Sequence, residues 1–367
     1  MCGPVDWSDE NQRQRKGLDL RGADLCQERL HHLPLACLAA GLDESDWGGA
    51  TKGQRTIAAV LMKGADLQGA HLEGANLRKA NLEETFLVGA HLEKASLLSA
   101  HLEGANLIEA YLDGADLRGV FLDDGTYIQA SSLGNKKLGF VFLSDIRWGD
   151  ANLAAVKWSQ VKMLGDEYEA RQKKRAGEPK DRDIRLNEYE QAVRANRQLA
   201  TALQNQGLNE DAARFAYRAQ VFQRKRFWYQ AFSKQEREKE KKQWHVTIWH
   251  RLASIGQSFR KFGSYIFLLF LDVLAGYGYR PGRTLCWYLF VIGSFAIMYS
   301  TFGHLPLLPD TLVLSLMSFH GRGFFPSLSG ETTLHNPLVV LAAAEAVIGL
   351  LIEISFIATF TQRFFGK

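Results

Sequence analysis

The sequence predicts a multidomain β + α membrane protein: a long repeat-built β unit, a helical hairpin, and a two-span α-helical membrane part. Three observations carry this. Leucine falls on every fifth residue, twelve in succession, from Leu67 to Leu122. The stretch Asp183 to Gln243 has helical composition. Two long apolar stretches, 284–302 and 338–360, lie near the C-terminus.

A period of five fits neither the 3.6 of a helix nor the 2 of a strand, so the first region is a repeat architecture. Two positions before each leucine stands a small residue, nearly always alanine, as at Ala65, Ala70 and Ala75. The pattern A-[D/N]-L-x-x in ADLQG, ANLRK, ANLIE and ADLRG resembles the pentapeptide repeat family. That resemblance implies a right-handed quadrilateral β-helix with four repeats to the coil, leucines stacked inside and alanines at the corners. An imperfect run precedes it (Leu20, Leu25, Leu30, Leu35), followed by an irregular insertion, 36–52. A later run, Leu138, Leu143, Trp148, Leu153 and Trp158, keeps the period one residue out of phase with Leu122. The chain therefore reads as a flexible N-terminus (1–16) and one β-helix (17–162), with a loop near Asp123 to Lys137.

A coil of about 20 residues stacks residues 20 apart at roughly 4.8 Å. Glu73, Glu93 and Asp113 then form one acidic column, and Glu83, Glu103 and Asp123 another. Such columns read as a solvated face or as a site for cations or a basic partner. Val88 and Ile108 stack into a small apolar strip, open to a subunit contact. His71 and His91 also stack, but with no third ligand in sight no metal site is expected.

The net charge of +4 hides an asymmetry. From Lys63 to Arg118 there are nine acids and five bases, whereas bases dominate from Arg224 to Lys261. Some pentapeptide repeat proteins mimic DNA and protect gyrase, but those carry no membrane anchor. The four cysteines have neither metal spacing nor a disulfide framework. The opening MCGPVDWSDENQRQRKG has no apolar stretch after its charges, so no signal peptide is expected. No nucleophile with its base, phosphate loop or metal cluster is visible, so the chain is not expected to be an enzyme, to need a cofactor or to bind nucleic acid.

Residues 163–250 read as a cytoplasmic helical hairpin linking the β-helix to the membrane. The stretch from Tyr189 to Arg226 resembles a tetratricopeptide-type hairpin, with QGLN at its turn and Asn209 placed to cap the second helix. The aromatic-basic segment Arg224 to Tyr229 suits either anionic headgroups or packing.

Residues 251–283 read as an interfacial helix and turn; Gly263 to Ala275 is too short to span and meets GYGYRPGR. The final domain, 284–367, holds two spans, 284–302 and 338–360. Arg280 and Arg283 flank the first and Arg363 and Lys367 follow the second, which predicts an inner (plasma) membrane protein with both ends cytoplasmic. Between them PDTLVLSLMSF is a short apolar helix running into HGRGFFPS, the layout of a re-entrant loop over 309–328.

This arrangement resembles the two-span pore-loop channels of the potassium channel superfamily. The resemblance places Gly321, Arg322 and Gly323 on the Gly-Tyr-Gly of the filter, Phe319 and His320 on its Thr-Val, and Phe324 on its Asp. Ser318 precedes them, and the second span becomes the inner helix, with Gly349 a possible bend. Phe319 lacks the hydroxyl of potassium filters, which leaves the permeant ion open. Arg322 either points into the pore, making an anion-selective ring, or points back to pair with Glu345, the favoured reading. Glu353, deeper, faces an inner cavity or bonds a neighbouring helix, and His320 either gates by pH or packs, the favoured reading.

The resemblance implies a homotetramer in the bilayer, since two spans and one loop cannot enclose a pore. The expected function is a homo-oligomeric channel for an inorganic ion, with the β-helix serving assembly or gating. The alternatives are a non-conducting membrane-anchored scaffold and a depolarising effector.

Overall fold

A computed structural model describes residues 20–30, 59–175, 177–232, 263–274, 276–277, 281–303, 309–321 and 337–364. The chain divides into two compact units, Met1–Trp244 and His245–Lys367.

The first unit is built on a β-helix whose coils pair in parallel. Asp66 bridges Phe86, His71 bridges His91, and Asn76 bridges Ser96, each 20 residues on. Backbone bonds join the coils in both directions: Leu67 N–H donates to Phe86 (2.8 Å), and Phe86 N–H to Ala65 (3.0 Å). Leucines 67 to 112 and alanines 65 to 115 fill the interior at 2% exposure or less. Each corner is a tight turn, as where Ala70 N–H donates back to Leu67 (3.1 Å). The last residue of the repeat has positive φ, the region that favours glycine. It is nevertheless Lys79, Glu84, Lys94, Ser99 or Glu109 at five corners, with φ from 56° to 59°.

Leu20, Leu25 and Leu30 pack against the same core, and Asp24 bridges Asp66, so the first run belongs to this β-helix. Leu35 and the insertion 36–52 lie outside the described residues, as does 1–16. The stretch near Asp123 to Lys137 does not interrupt the coil as a loop. The Asp123–Gly125 turn adds one residue, so Asn106 bridges Tyr127. A small hairpin, β1 (Gly134–Asn135) paired with β2 (Gly139–Phe140), adds five more, so Asp116 bridges Phe142. Leu138 accordingly sits in the hairpin turn rather than inside, and Val141, fully buried, takes the inner position.

The helical segments do not merely link. α1 (Gly165–Arg171) is followed by α2 (Arg182–Asn205) and α3 (Asn209–Phe232), which pair as a hairpin turned at Gly207. Asn209 is the first residue of α3 rather than its cap. Leu199, Leu203, Ala212 and Phe215 join the same apolar core as Leu153 and Trp158. A β-helix ends in unpaired N–H and C=O groups, which need covering. Here the helices supply partners. Gln206 accepts from Leu153 N–H (2.8 Å) and donates to Ala151 (2.7 Å), and Asp166 accepts from Leu143 N–H (2.8 Å). Burial pushes the Asp166 carboxyl up to about 6. Burial likewise raises Glu167, against the opposing pull of Arg218. Of the aromatic-basic segment, Trp228 is 45% exposed while Tyr229 packs on Tyr189.

The second unit contains α4 (Gly263–Leu274), α5 (Pro281–Gly303), α6 (Asp310–Phe319) and α7 (Pro337–Phe364). Within α5 and α7, Gly282–Gly303 and Leu338–Ile357 are long and apolar enough to cross a membrane. Many of their apolar side chains face outward, among them Leu289, Phe290, Val347 and Ile357, each more than 60% exposed. The end of α4 is tied to the start of α5. Trp287 Nε1 donates to Val273 (2.9 Å), Thr284 Oγ1 to Leu274 (3.3 Å), and Arg283 to Asp272 (3.2 Å).

Candidate functional site

The short helix α6 packs against both α5 and α7, and its polar residues decide how. An apolar ten-residue helix starting at Asp310 matches the sequence expectation; it stops because Gly321 adopts φ +66° and donates its N–H to Ser318 (2.9 Å).

Two acids of α7 meet α6, one at each level. Glu345 is fully buried; one carboxylate oxygen accepts from the Tyr299 hydroxyl (2.8 Å), and the other contacts Ser315. The Ser315 hydroxyl also lies 2.9 Å from the Ile292 carbonyl of α5. Two turns along, Glu353 pairs with His320 Nδ1, while His320 Nε2 lies 3.2 Å from the Tyr288 hydroxyl. Each acid therefore joins all three helices.

Between the acids stands Gly349, and the three occupy a stripe at i, i+4 and i+8 that faces α6. A β-carbon at Gly349 would lie 2.1 Å from the carbonyl oxygen of Phe319. Helix α7 runs through Gly349 without a break. The missing side chain of Gly349 admits the last turn of α6. Phe319 is 1% exposed and packs edge-on against Tyr288 (ring centroids 4.8 Å), within a cluster of Leu274, Val291, Ile292 and Ile352. Ser318 is also buried.

Phe319, His320, Glu345, Gly349 and Glu353 are thus gathered at the α6–α7 contact, with Ser318 buried in the last turn of α6 and Gly321 exposed just beyond it. Arg322, Gly323 and Phe324 lie outside the described residues, and with them the pairing of Arg322 with Glu345. The partners that Glu345 does have, Tyr299 and Ser315, were missed in the sequence, as was Tyr288. Their signal was weak: a polar residue in each apolar helix at a depth that matches an acid on the next.

On the β-helix, the acidic columns are not bare. His71 Nδ1 lies 3.0 Å from Glu73, His91 3.4 Å from Glu93, and His101 3.2 Å from Glu103. Glu73 offers a third ligand atom beside His71 and His91, which corrects the expectation of two histidines alone. Asp113 leaves the column to bind Ser132 (2.6 Å) and Asn135 (2.9 Å), and Asp123 accepts from Gly104 N–H (2.7 Å). Val88 and Ile108 are half-buried, flanked on that face by the more exposed Phe86 and Tyr127.

Residues 60–93 and 87–124 match the pentapeptide repeats family, in 8 copies. The chain matches no curated protein. Among solved structures it is similar to a pentapeptide repeat protein from the Arabidopsis thaliana thylakoid lumen, at 22% identity over 39% of this chain and 75% of that one, TM-score 0.23. It is also similar to the pentapeptide repeat protein Rfr23 of the cyanobacterium Cyanothece 51142, at 27% identity over 38% and 93%, TM-score 0.19. A third, from Nostoc Pcc 7120, has 24% identity over 35% and 84%, TM-score 0.21.

Proposed function

We propose that this pentapeptide-repeat chain is one subunit of a homotetrameric ion channel of the cell membrane, with α5 and α7 as spans and α6 as the pore helix. The observation that carries the reading is the anchoring of α6. A short apolar helix set between two long ones, fixed to both by Glu345 and Glu353, serves no need of a simple membrane anchor. Acids placed within apolar helices are costly and mark function. The C-terminal end of α6 carries the negative end of its dipole, beside Glu353. That combination favours a cation, and it makes the paired Arg322 reading preferable to an anion ring. Within α6, Leu312, Val313, Leu316 and Met317 are 38% to 49% exposed, a face available to a neighbouring subunit. The β-helix would remain in the cytoplasm with both termini and serve assembly or gating. No catalytic role or cofactor enters this reading.

The rival is a non-conducting scaffold in which α6 is a plug. It is favoured by the fact that Glu345 and Glu353 both find partners within one chain. Recording from the purified protein in planar bilayers under a KCl gradient separates the two. Discrete currents with a cation-sign reversal potential, abolished in Gly321→Ala, are expected. Anion selectivity lost in Arg322→Ala would place that arginine in the pathway. Silence under all conditions would favour the scaffold.

A further inference from the structure

The tripeptide His-Leu-Glu begins at His71 and again at His91, one full coil apart. In a strand, residues i and i+2 share a face, so the two copies set His71, Glu73, His91 and Glu93 together on one wall of the β-helix. The two imidazoles are stacked, with ring centroids 4.7 Å apart and planes within 5°. Both Nδ1 atoms turn toward the carboxylates. The ligand atoms of His71, Glu73 and His91 all lie within 4.8 Å of one another.

From this geometry we infer that His71, Glu73 and His91, with Glu93 or water as the fourth ligand, form a Zn²⁺ site on the β-helix. The donor set selects the metal: two imidazoles with carboxylate suit zinc, whereas calcium and magnesium want oxygen throughout. A tetrahedral zinc with ligands at about 2.1 Å holds them about 3.4 Å apart. To bind one metal, the two half-exposed rings leave their parallel stack and tilt until both Nδ1 lone pairs, which lie in the ring planes, converge. The second oxygens of Glu73 and Glu93, like that of Glu103, are buried and have no hydrogen-bond partner among the described residues. A cation at the stack would supply what those oxygens lack.

The opposite wall, two repeats further round the coil, provides an internal comparison. His101, Glu103 and Glu83 form a similar group. There Lys63 already lies 2.9 Å from Glu83 and 3.2 Å from Glu84, so the acid is neutralised by the chain itself. One coil above His71 stands Arg29, exposed, and one coil below His91 stands Tyr111, stacked on it at 4.6 Å. The zinc site belongs to the first wall alone. It stands independently of the channel reading.

The test is calorimetric titration of ZnCl₂ into the full-length, tag-free, metal-stripped protein in detergent at neutral pH. One equivalent is expected to bind. His91→Asn and Glu73→Gln should each weaken it roughly tenfold or more, and His101→Asn should leave it unchanged. Circular dichroism confirms that each variant retains the β-helix, and Glu73→Gln decides should His91→Asn fail to fold. No binding by the parent protein would overturn the site. Undiminished binding in Glu73→Gln, or loss of binding in His101→Asn, would equally overturn it.

Discussion

The carbonyl oxygen of Phe319 sits 2.1 Å from where a β-carbon on Gly349 would be. The end of α6 thus rests directly on the backbone of α7. Nothing softer intervenes: the next nearest atom is the Phe319 carbonyl carbon at 2.9 Å. Gly349→Ala must therefore push the two helices apart, at about 1–3 kcal/mol for an overpacked contact. The expected outcome is a lower thermal midpoint in detergent and loss of any current. Gly293→Ala in α5, where a β-carbon meets nothing within 4 Å, should change neither. Equal behaviour of the two variants would refute the contact.

Glu345 and Tyr299 make the second contact. Tyr299→Phe removes a donor from a fully buried carboxylate, a loss of about 1–3 kcal/mol. Glu345→Gln keeps the shape and one acceptor, so its cost should be smaller. If the two groups act as one unit, the double variant will be less destabilised than the sum of the singles. A double-mutant cycle read by thermal unfolding measures the coupling, and strict additivity would show that they act separately.

How much of this was legible depends on what each signal reports. A buried leucine every five residues reports the interior of a coil directly, so the β-helix was plain. The same counting is blind to an insertion of five residues, which leaves the phase intact. The β1–β2 hairpin is such an insertion, and Leu138 was placed inside because of it. The one-residue turn at Asp123–Gly125 was visible as the phase shift. Glu345, Gly349 and Glu353 stood out because acids and glycine are conspicuous in an apolar span. Tyr288, Tyr299 and Ser315 did not, since hydroxyls are ordinary in such helices and only packing aims them. The capping role of α2 and α3 was hidden for a related reason: helical periodicity shows which face is apolar, not which partner covers it.

Asp166 makes stability depend on pH in an unusual direction. Burial holds its folded carboxyl at about 6, against 3.8 when exposed. Between those values the folded chain keeps a proton that the unfolded chain has released. Stability from this group therefore falls as pH rises from about 4 to 6, and the full penalty is present above that. The interval corresponds to about 3 kcal/mol at most. Asp166→Asn keeps an acceptor for Leu143 N–H and removes the ionisation. Denaturant unfolding followed by circular dichroism should show the variant gaining on the parent at pH 7.5 and not at pH 4. The same difference at both values would mean that Asp166 does not titrate in this window.

The capping contacts offer a graded test, because Gln198 within α2 and Gln206 at its C-terminal cap do similar work at different depths. Gln206 serves two partly buried backbone groups, Leu153 N–H and Ala151 C=O. Gln198 serves one exposed group, Asp145 N–H (2.9 Å). Water can replace the second but reaches the first pair poorly. Gln206→Leu should therefore cost about 1–3 kcal/mol and speed amide exchange at Leu153, the donor that loses its acceptor. Gln198→Leu should cost about 0.5 kcal/mol or less. If both variants lose the same amount, capping is apolar contact rather than satisfaction of the open coil. If only Gln206→Leu loses stability, the last coil depends on the helices for its hydrogen bonds, and the hairpin is part of the β-helix's folding unit.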